Sequence, residues 1–494
     1  MDRQREMQAW RTSHPVAGRP LRHALRDTLP GLAAVPAVAL AAGLALGAGA
    51  PEVRAETLAE AMARAYQYNP QLLAARAALR AVDEQAAQAS ANWRPGVTFS
   101  ADAGLTAARA KSAVTRGFQS TSRIPGGASL NVTQNIYRGG RNLHQWRRAN
   151  YNISAQRARL AGVEQTVLLN AVRAYMNVVR DLAVVRLNRN NEQVLARQLQ
   201  ATRDRFSVGE VTRTDVSQAQ ARLARSRAAT IQAQGILQAS RANYANVVGE
   251  LPRDIQQPEL RTDLPSDPTE IAKQAQRANP VAVAAMWDER SAQAAVDLVR
   301  GELMPTVSIN GQLQRRYNAQ AEDTIGDSAS VTANISIPLY RSGSVASRVR
   351  AAKQMVFQRR DELRQAQRTA IENASRANAS LRTARSSVTA FEAQLEASRI
   401  ALNGVRQEAA AGLRTVLDTL DAQQELLNAQ VNLVRARRDL VVATYEVLGA
   451  VGRMNAKGLE LKVTLHDPEV HYRKVRHKAF GFGEAIGGEP APAK

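Results

Sequence analysis

The chain contains no cysteine and few aromatic residues. The lack of cysteine excludes disulfide bonds, zinc–cysteine centres and lipid attachment to an N-terminal cysteine. Aromatic residues make up 4% of the 494 positions, which is little for a compact globular core. Alanine, arginine, glutamine and leucine are abundant instead, and this composition favours long helices.

Catalytic sequence motifs are also missing. There is no H-E-x-x-H zinc motif, no phosphate-binding G-x-x-x-x-G-K-[ST] loop and no histidine between His144 and His466. His466, His471 and His477 cluster near the C-terminus, but their spacing matches neither a helix face nor a known metal motif. We therefore predict a protein that is not an enzyme and that has no cofactor and no bound metal.

Acidic residues are outnumbered by basic ones. The net charge is +22, from 66 Lys and Arg against 44 Asp and Glu. A charge of this size fits a nucleic acid, an anionic lipid surface or an acidic cargo. The arginines do not gather into a motif with interleaved aromatics, so we predict no nucleic-acid partner. Arginines spread over solvated helix faces explain most of the charge in this interpretation.

The N-terminus has the pattern of an export signal. Several arginines precede an apolar run from about Leu29 to Ala50, and Val53-Arg54-Ala55 offers small residues at the cleavage-determining positions. We predict a signal peptide at 1–55 that is removed before Glu56, although the run is nearly long enough for a membrane anchor. No later run is long and apolar enough to cross a bilayer as a helix, so a membrane location requires strands.

The rest of the chain is an internal duplication. Asn69-Pro70 recurs as Asn279-Pro280, and Tyr137-Arg138 recurs as Tyr340-Arg341. Four prolines between the copies indicate a linker. The predicted organisation after the signal peptide is a first repeat at 56–252, a linker at 253–268, a second repeat at 269–452 and a C-terminal tail at 453–494.

Each repeat contains two segments in which apolar and polar residues alternate. Such alternation over roughly ten residues predicts a strand with one apolar and one polar face, which is the pattern of a membrane-barrel strand. The predicted strands are 97–107, 128–137, 306–314 and 329–339. Four strands in a mostly helical chain cannot form the core of a sandwich, so we interpret them as part of a barrel.

A long proline-free segment follows each pair of strands. These segments run from about 142 to 206 and from 344 to 411, and each predicts a helix roughly 100 Å long at about 1.5 Å per residue. A shorter helix returns after a glycine turn. Its large and small residues alternate at heptad spacing, as in closely packed coiled coils. We therefore predict two long helical hairpins.

Four strands cannot close a barrel within one chain, and an open edge in lipid would leave backbone groups unpaired. Three copies would supply twelve strands, which is an allowed even-numbered barrel with an aqueous interior. The predicted fold is mainly α with a β-barrel part. It is a trimeric 12-stranded outer-membrane β-barrel, with four strands per protomer, continuous with a long α-helical coiled-coil barrel built from two internal repeats.

A barrel that continues as a tube is a conduit, and arginines lining it would attract acidic cargo. A basic coiled-coil binding protein of the cell envelope is the alternative from another class. That alternative explains the helices and the charge. It explains neither the four amphipathic strands nor the export signal combined with duplicated hairpins.

The turns between the long and the returning helices carry a family resemblance. RFSVGEVTRTDV at 205–216 and GLRTVLDTLDAQ at 412–423 resemble the two periplasmic turns of the TolC family of outer-membrane efflux and secretion proteins, and the resemblance extends over residues 56–452. It implies an outer-membrane duct that extends into the periplasm. There it would dock on a periplasmic adaptor (membrane-fusion) protein and on an inner-membrane ABC transporter or proton-driven pump. The implied docking residues are Val208, Gly209, Glu210, Gly412 and Leu413.

The resemblance also implies a gate at these turns, formed by Asp418, Asp421, Arg414, Asp215 and Thr214. Asp418 and Asp421 match the family's aspartate constriction, and threefold symmetry would place six carboxylates around the opening. Arg414 matches the arginine that locks the closed state through the first turn. Without the resemblance, an acidic helix N-terminus explains the two aspartates equally well. Ala409 stands where the family often has a tyrosine, so we expect a looser closed state.

The tail after Gly452 favours one class of cargo. Residues 465–476, LHDPEVHYRKVR, are similar to the end of family members that serve type I secretion. The implied function is export of protein cargo, and efflux of drugs or other small molecules is the alternative. The predicted partners are two further copies of the chain, the adaptor, the inner-membrane transporter and outer-membrane lipid.

Overall fold

The computed structural model describes residues 56–111, 117–261 and 267–483. The first repeat consists of α1 (Leu58–Tyr68), α2 (Pro70–Ala91), β1 (Gly96–Ala103), β2 (Thr106–Lys111), β3 (Phe118–Arg123), β4 (Gly126–Arg138), α3 (Arg141–Ser207) and α4 (Arg213–Val248). The second repeat and the tail consist of α5 (Pro268–Ala278), α6 (Pro280–Arg300), β5 (Thr306–Tyr317), β6 (Ile325–Ser336), α7 (Ser344–Ala410), α8 (Val416–Ala450) and α9 (Val470–Val475). The predicted signal peptide at 1–55 lies outside the described residues.

Both repeats begin with the same helix-to-helix corner. Asn69 ends α1 and starts α2, and its side-chain oxygen accepts a hydrogen bond from the Gln71 N–H at 3.0 Å. Asn279 does the same between α5 and α6 with the Val281 N–H, also at 3.0 Å. A proline follows each asparagine at the first helical position, where a backbone donor is not needed. The Asn-Pro motif is therefore the signal for this corner.

Four strands form one antiparallel sheet in the order β1-β4-β5-β6. One row of side chains across the sheet is apolar and consists of Phe99, Leu130, Leu313 and Ala329. The next row is polar and consists of Thr98, Asn131, Gln312 and Ser330. The sheet therefore has one apolar and one polar face, as the alternation predicts.

The strand boundaries differ from the prediction at several points: β5 continues to Tyr317 instead of 314, and β6 starts at Ile325 instead of 329. The predicted strand 97–107 divides at Gly104, after which β2 pairs with β3, a strand that was not predicted. Because this hairpin lies outside the four-stranded sheet, no apolar face imposes alternation on it. The last strand of the sheet, β6, stops at Ser336 instead of 339, because Pro338 has no N–H to donate to a neighbouring strand.

β1 and β6 form the two edges of this sheet. Within the described ranges, β1 pairs only with β4, and β6 pairs only with β5. Across those same ranges, no helix combines the length and apolar character that crossing a membrane requires. Edge strands in lipid need partners, because each unpaired N–H or C=O costs free energy there. Pairing between the edges of neighbouring copies would satisfy them.

Two hairpins of long helices extend from the sheet. α3 and α7 each contain 67 residues, which correspond to roughly 100 Å at about 1.5 Å per residue. α3 packs along α4 and α7 along α8, and α3 also contacts α8, so the hairpins lie side by side. The buried positions of α4 follow the heptad spacing and include Ala219, Leu223, Ser226, Thr230, Ala233, Leu237 and Tyr244. Small residues in this seam let the helices approach closely.

The largest hydrophobic core surrounds the middle of α3, where α1, α2 and the ends of α4 and α8 meet. Its polar centre is the buried Glu56, whose carboxylate accepts a hydrogen bond from the Tyr244 hydroxyl at 2.7 Å and lies 3.3 Å from the Arg64 guanidinium. The Tyr175 hydroxyl lies 2.8 Å from the Glu56 carbonyl oxygen and 2.6 Å from that of Gln256. Burial raises the pKa of both tyrosines, so both remain neutral donors. This network ties the start of the first repeat to the linker.

The strand-to-helix junction of the first repeat has no room for a side chain. Gly139 has a φ of 63°, and a Cβ there would lie 2.2 Å from the Gly301 carbonyl oxygen. Gly301 starts the short turn Gly301–Leu303 that leads towards β5, and a Cβ on it would lie 2.6 Å from the Gly139 oxygen. The two repeats therefore meet backbone to backbone at the base of the sheet.

We expect Gly139→Ala to destabilise the protein more than Gly343→Ala does. Gly343 has a φ of 72°, so both replacements place a Cβ on a left-handed backbone, at a cost of about 1–2 kcal/mol. Only the Cβ at Gly139 also meets another backbone, since no described atom lies within 4 Å of a Cβ at Gly343. Thermal loss of helical circular dichroism in detergent measures the difference. Equal melting temperatures for the two variants would contradict the close contact.

Candidate functional site at the hairpin tips

Each hairpin turns at a glycine in the left-handed conformation. Gly209 has a φ of 80° in the first tip, defined as residues 205–216, and Gly412 has a φ of 79° in the second tip, residues 408–423. The N–H after the glycine donates to the carbonyl five residues earlier, at 3.0 Å in the first tip and 2.9 Å in the second. Both tips are therefore closed turns of the same kind.

A capping box starts the returning helix in each tip. In the first tip, the Thr212 N–H donates to the Asp215 carboxylate at 2.8 Å, and the Asp215 N–H donates to the Thr212 hydroxyl oxygen at 3.2 Å. Thr415 and Asp418 form the same pair in the second tip, at 2.9 and 3.2 Å. Donation from the Thr212 hydroxyl and N–H lowers the pKa of the Asp215 carboxyl group, and donation from the Thr415 N–H and hydroxyl lowers that of Asp418, so both are charged at neutral pH. Asp418, a predicted gate residue, thus caps its own helix.

Asp421, the second predicted gate residue, links the two hairpins. Its carboxylate forms an ion pair with the guanidinium of Arg222 on α4, while more than half of the side chain remains exposed. The preceding residue, Leu420, is buried against an apolar cluster of the first hairpin that comprises Leu195, Leu199, Ala219 and Leu223. The start of α8 is therefore fixed to the first hairpin by one apolar and one ionic contact.

Arg414 lies away from the partners that the family resemblance implies. Its Nε donates to the Glu408 carboxylate of the same tip at 2.8 Å, and this bond raises the pKa of Arg414. Asp215 is engaged by Thr212, and Thr214 is exposed on the first turn of α4. Within one protomer each tip therefore satisfies its own charges locally, and the implied Arg414–Asp215 contact stays a prediction.

The implied docking residues lie at the ends of the hairpins. Val208 is 71% exposed and Leu413 is 77% exposed. Glu210, also in the first tip, pairs with Arg205 at 2.9 Å. Apolar side chains exposed to water at the ends of hairpins are typical of contact surfaces. Their role in docking stays a prediction.

Thr415→Ala is expected to destabilise the start of α8 by about 1 kcal/mol, because it removes the hydroxyl that accepts from the Asp418 N–H. Thr415→Ser keeps that hydroxyl and is the control. The Asp418 carboxylate stabilises the same cap. Its contribution is complete above the ordinary Asp pKa of about 3.9, and it is lost as the pH falls through the lowered pKa of Asp418 in the folded protein. Hydrogen exchange of amides 416–419 measures the fraying. Identical exchange in the Ala and Ser variants would contradict this role.

The residues of the site that were not predicted from the sequence include the capping residues Thr212 and Thr415 as well as Arg222, Glu408 and Leu420. Leu420 left a signal, since it is a large apolar residue off the seam that α8 presents to α7. Only a second hairpin could bury it. Arg222 and Glu408 left none, because their pairing depends on how the hairpins align and how the turn folds back.

The two repeats both match a known family. Residues 61–250 and 271–453 match the model described as outer membrane efflux protein. Outer membrane efflux protein BepC of Brucella suis biovar 1 (strain 1330) is 33% identical over 428 residues, which cover 86% of this chain and 92% of BepC. Outer membrane protein TolC of Escherichia coli (strain K12) is 25% identical over 446 residues, covering 84% of this chain and 86% of TolC.

A solved structure shares the fold. The CmeC outer membrane channel of Campylobacter jejuni superposes with a TM-score of 0.71 at 17% identity. The match covers 85% of this chain and 89% of CmeC. At this identity the likeness concerns the fold alone.

Proposed function

Because the chain belongs to the outer membrane efflux protein family, we propose that it is the outer-membrane duct of a tripartite system that exports protein cargo. Membership itself establishes the coarser function, an efflux channel in the outer membrane that extends into the periplasm. The predicted fold is confirmed with it: a mainly helical protomer that contributes four strands to a trimeric channel. The cargo and the docking partners belong to the proposal.

The observation that carries the docking proposal is the geometry of the two tips. They lie at the far ends of helices roughly 100 Å long, so they are the part of the protein farthest from the sheet. Their turns are closed by backbone hydrogen bonds and present Val208 and Leu413 to solvent. A periplasmic adaptor protein would meet the duct there. So would an inner-membrane transporter, which is either an ABC transporter or a proton-driven pump. The chain itself carries out no catalysis in this proposal.

Protein cargo is supported by the tail. Its segment 465–476 is similar to the end of type I secretion members of the family. Efflux of small molecules is the second candidate, and it is favoured by the 33% identity to BepC, which is named an efflux protein. The two functions differ in what accumulates in the cell when the duct is absent.

Deletion of the chain in its native host distinguishes the two functions. We expect the deletion to remove specific proteins from the culture medium and to leave antibiotic and detergent tolerance largely unchanged. The opposite result would reject protein cargo in favour of efflux: the deletion strain loses tolerance, and complementation restores tolerance without restoring any secreted protein.

The docking part is tested by charge at the tips. We expect Val208→Asp with Leu413→Asp to abolish export while the trimer remains in the outer membrane, because the replacements make the apolar ends of the tips acidic. Val208→Ile with Leu413→Ile keeps the ends apolar and is the matched control. Full export by the Asp variant would show that the tips are not the docking surface.

A further inference from the structure

The chain after α8 follows α2 towards the sheet. The His466 N–H donates to the Tyr66 hydroxyl at 2.9 Å, and His471 Nδ1 lies 3.2 Å from the Asp83 carboxylate. Farther along, the Ser90 hydroxyl donates to the Arg476 carbonyl at 3.3 Å. The first contact is to α1, just before its corner with α2, and the next two lie progressively nearer the C-terminal end of α2. The tail therefore extends along α2 in the direction of the strands.

The tail reaches the boundary between helices and strands. The Arg94 guanidinium donates to the carbonyl oxygens of His477 and Lys478, both at 2.9 Å. Arg94 precedes Gly96, the first residue of β1, by two positions. The segment after Lys478 therefore lies at the base of the sheet. In an outer-membrane channel whose helices extend into the periplasm, that level is the periplasmic membrane surface.

Exposed aromatic residues mark the same level. Trp93 lies between α2 and β1, Tyr137 is next to the last residue of β4, and Tyr340 lies between β6 and α7. All three are exposed in the protomer. Aromatic side chains of this kind form a belt where barrel strands leave the hydrocarbon for the lipid headgroups.

The end of the tail combines basic and apolar side chains. Residues 470–483 contain four Lys or Arg and no Asp or Glu. Lys474, Arg476 and Lys478 are exposed, and they are followed by Phe480, which is 91% exposed, and the fully exposed Phe482. Exposed phenylalanines beside basic residues are unusual on a surface that faces only water, and they are typical of segments that lie on an anionic membrane.

The segment is also held in place before any ligand arrives. The Tyr472 hydroxyl donates to the Asn150 side chain at 2.6 Å, and Glu469 pairs with Arg157 at 3.0 Å. Asp83, which His471 contacts, is completely buried. Three anchors on two helices fix the backbone just ahead of the basic residues. Binding therefore loses little conformational entropy.

We propose that residues 474–482, which we call the tail patch, bind the anionic phospholipid surface of the periplasmic leaflet of the outer membrane. Lys474, Arg476 and Lys478 contact the phosphates of the headgroups, and Phe480 and Phe482 insert at the boundary with the acyl chains. Basic charge and apolar insertion together give the two contributions that stable membrane-surface binding needs. The tail patch would hold the periplasmic shaft at a fixed height relative to the bilayer.

A lipid surface fits the tail patch better than a protein partner does. The patch lies at the level of the aromatic belt, whereas the exposed apolar ends of the hairpins lie roughly 100 Å away. The charged residues of the patch are all basic, and the leaflet surface is anionic, so the two charges are complementary.

The test uses the full-length protein and its lack of cysteine. Ala479→Cys gives a single attachment site for a fluorophore beside Phe480. The labelled trimer is inserted into nanodiscs of phosphatidylethanolamine, with or without about a quarter phosphatidylglycerol, that contain lipids with a spin label near the headgroup. A label at Ser386→Cys, on the shaft of α7, is the control.

We expect strong quenching of the label at position 479 in the anionic discs, weaker quenching in the neutral discs, and none at position 386. Replacing Lys474, Arg476 and Lys478 by Gln removes three charges, each worth about fivefold in association with an anionic surface, so quenching should fall at least about threefold. Phe480→Ser with Phe482→Ser should lower it as well. Unchanged migration of the unheated trimer on a gel shows that these variants fold.

Two results overturn the proposal. Equal and weak quenching at positions 479 and 386 in anionic discs would show that the tail patch does not touch lipid, which includes the case of a protein partner. Strong quenching that needs no anionic lipid and survives the triple Gln replacement would reject recognition by charge. Neither result depends on which cargo the duct exports.

Discussion

Val132→Arg should lower the stability of the barrel by about 2–4 kcal/mol, because it places a charge on the lipid-facing side of a membrane strand near mid-depth. Val132 lies in the middle of β4, on the apolar face of the sheet, and pairs with Val97 of β1 and Gly311 of β5. The neighbouring Gly311 has no side chain that could shield the guanidinium. The stability of this variant therefore tests which face of the sheet contacts lipid.

The matched control is Thr133→Arg, one residue farther along β4. Thr133 pairs with Gly96 and Asn310 and lies on the polar face, so its arginine would enter the aqueous interior. Urea-induced unfolding in vesicles measures both variants against the unchanged protein. Equal losses, or a larger loss for Thr133→Arg, would show that the apolar face does not face lipid.

Asp418→Asn together with Asp421→Asn should abolish block of the channel by divalent cations applied from the periplasmic side. In a trimer the two positions supply six carboxylates, and their charge attracts cations to a narrow opening. Asn is preferred to Ala at Asp418, since its side-chain oxygen can still accept from the Thr415 N–H and preserve the cap. We expect the apparent affinity for the blocking ion to fall at least about tenfold, as a loss of about 1.4 kcal/mol would produce.

Asp204→Asn is the control for this experiment. Asp204 is an exposed carboxylate near the first tip, where it accepts from the Gln200 side chain at 2.9 Å. It should leave the block unchanged. Block that survives the double replacement at Asp418 and Asp421, or that is lost equally in the control, would place the constriction elsewhere and leave the acidic pair as a helix end.

The elements with strong local signals were predictable from the sequence. The lengths of α3 and α7 followed from the absence of proline, and the corners at Asn69 and Asn279 followed from Asn-Pro. Strand faces followed from alternation, because lipid or a core on one side forces it. β3 could not be predicted in this way. Its side chains are nearly all exposed, so no buried or lipid-facing side imposes an alternating pattern.

The site was less predictable than the fold. The positions of the tips and their glycines followed from the duplication and the family resemblance. The ion pair of Asp421 with Arg222 and the burial of Leu420 did not, since both depend on the rotation of one hairpin against the other. The pairing of Arg414 with Glu408 inside the second tip was not predictable either, because it depends on how the turn folds back.

The central claim is that three copies of the chain share one channel with one acidic constriction. Single-channel recording of assemblies made from a mixture of unchanged chains and chains with both Asp418→Asn and Asp421→Asn tests it most directly. A shared constriction in a trimer predicts four classes of channel, with graded divalent block according to the number of unchanged chains. Any number of classes other than four would contradict a trimeric duct gated at these tips.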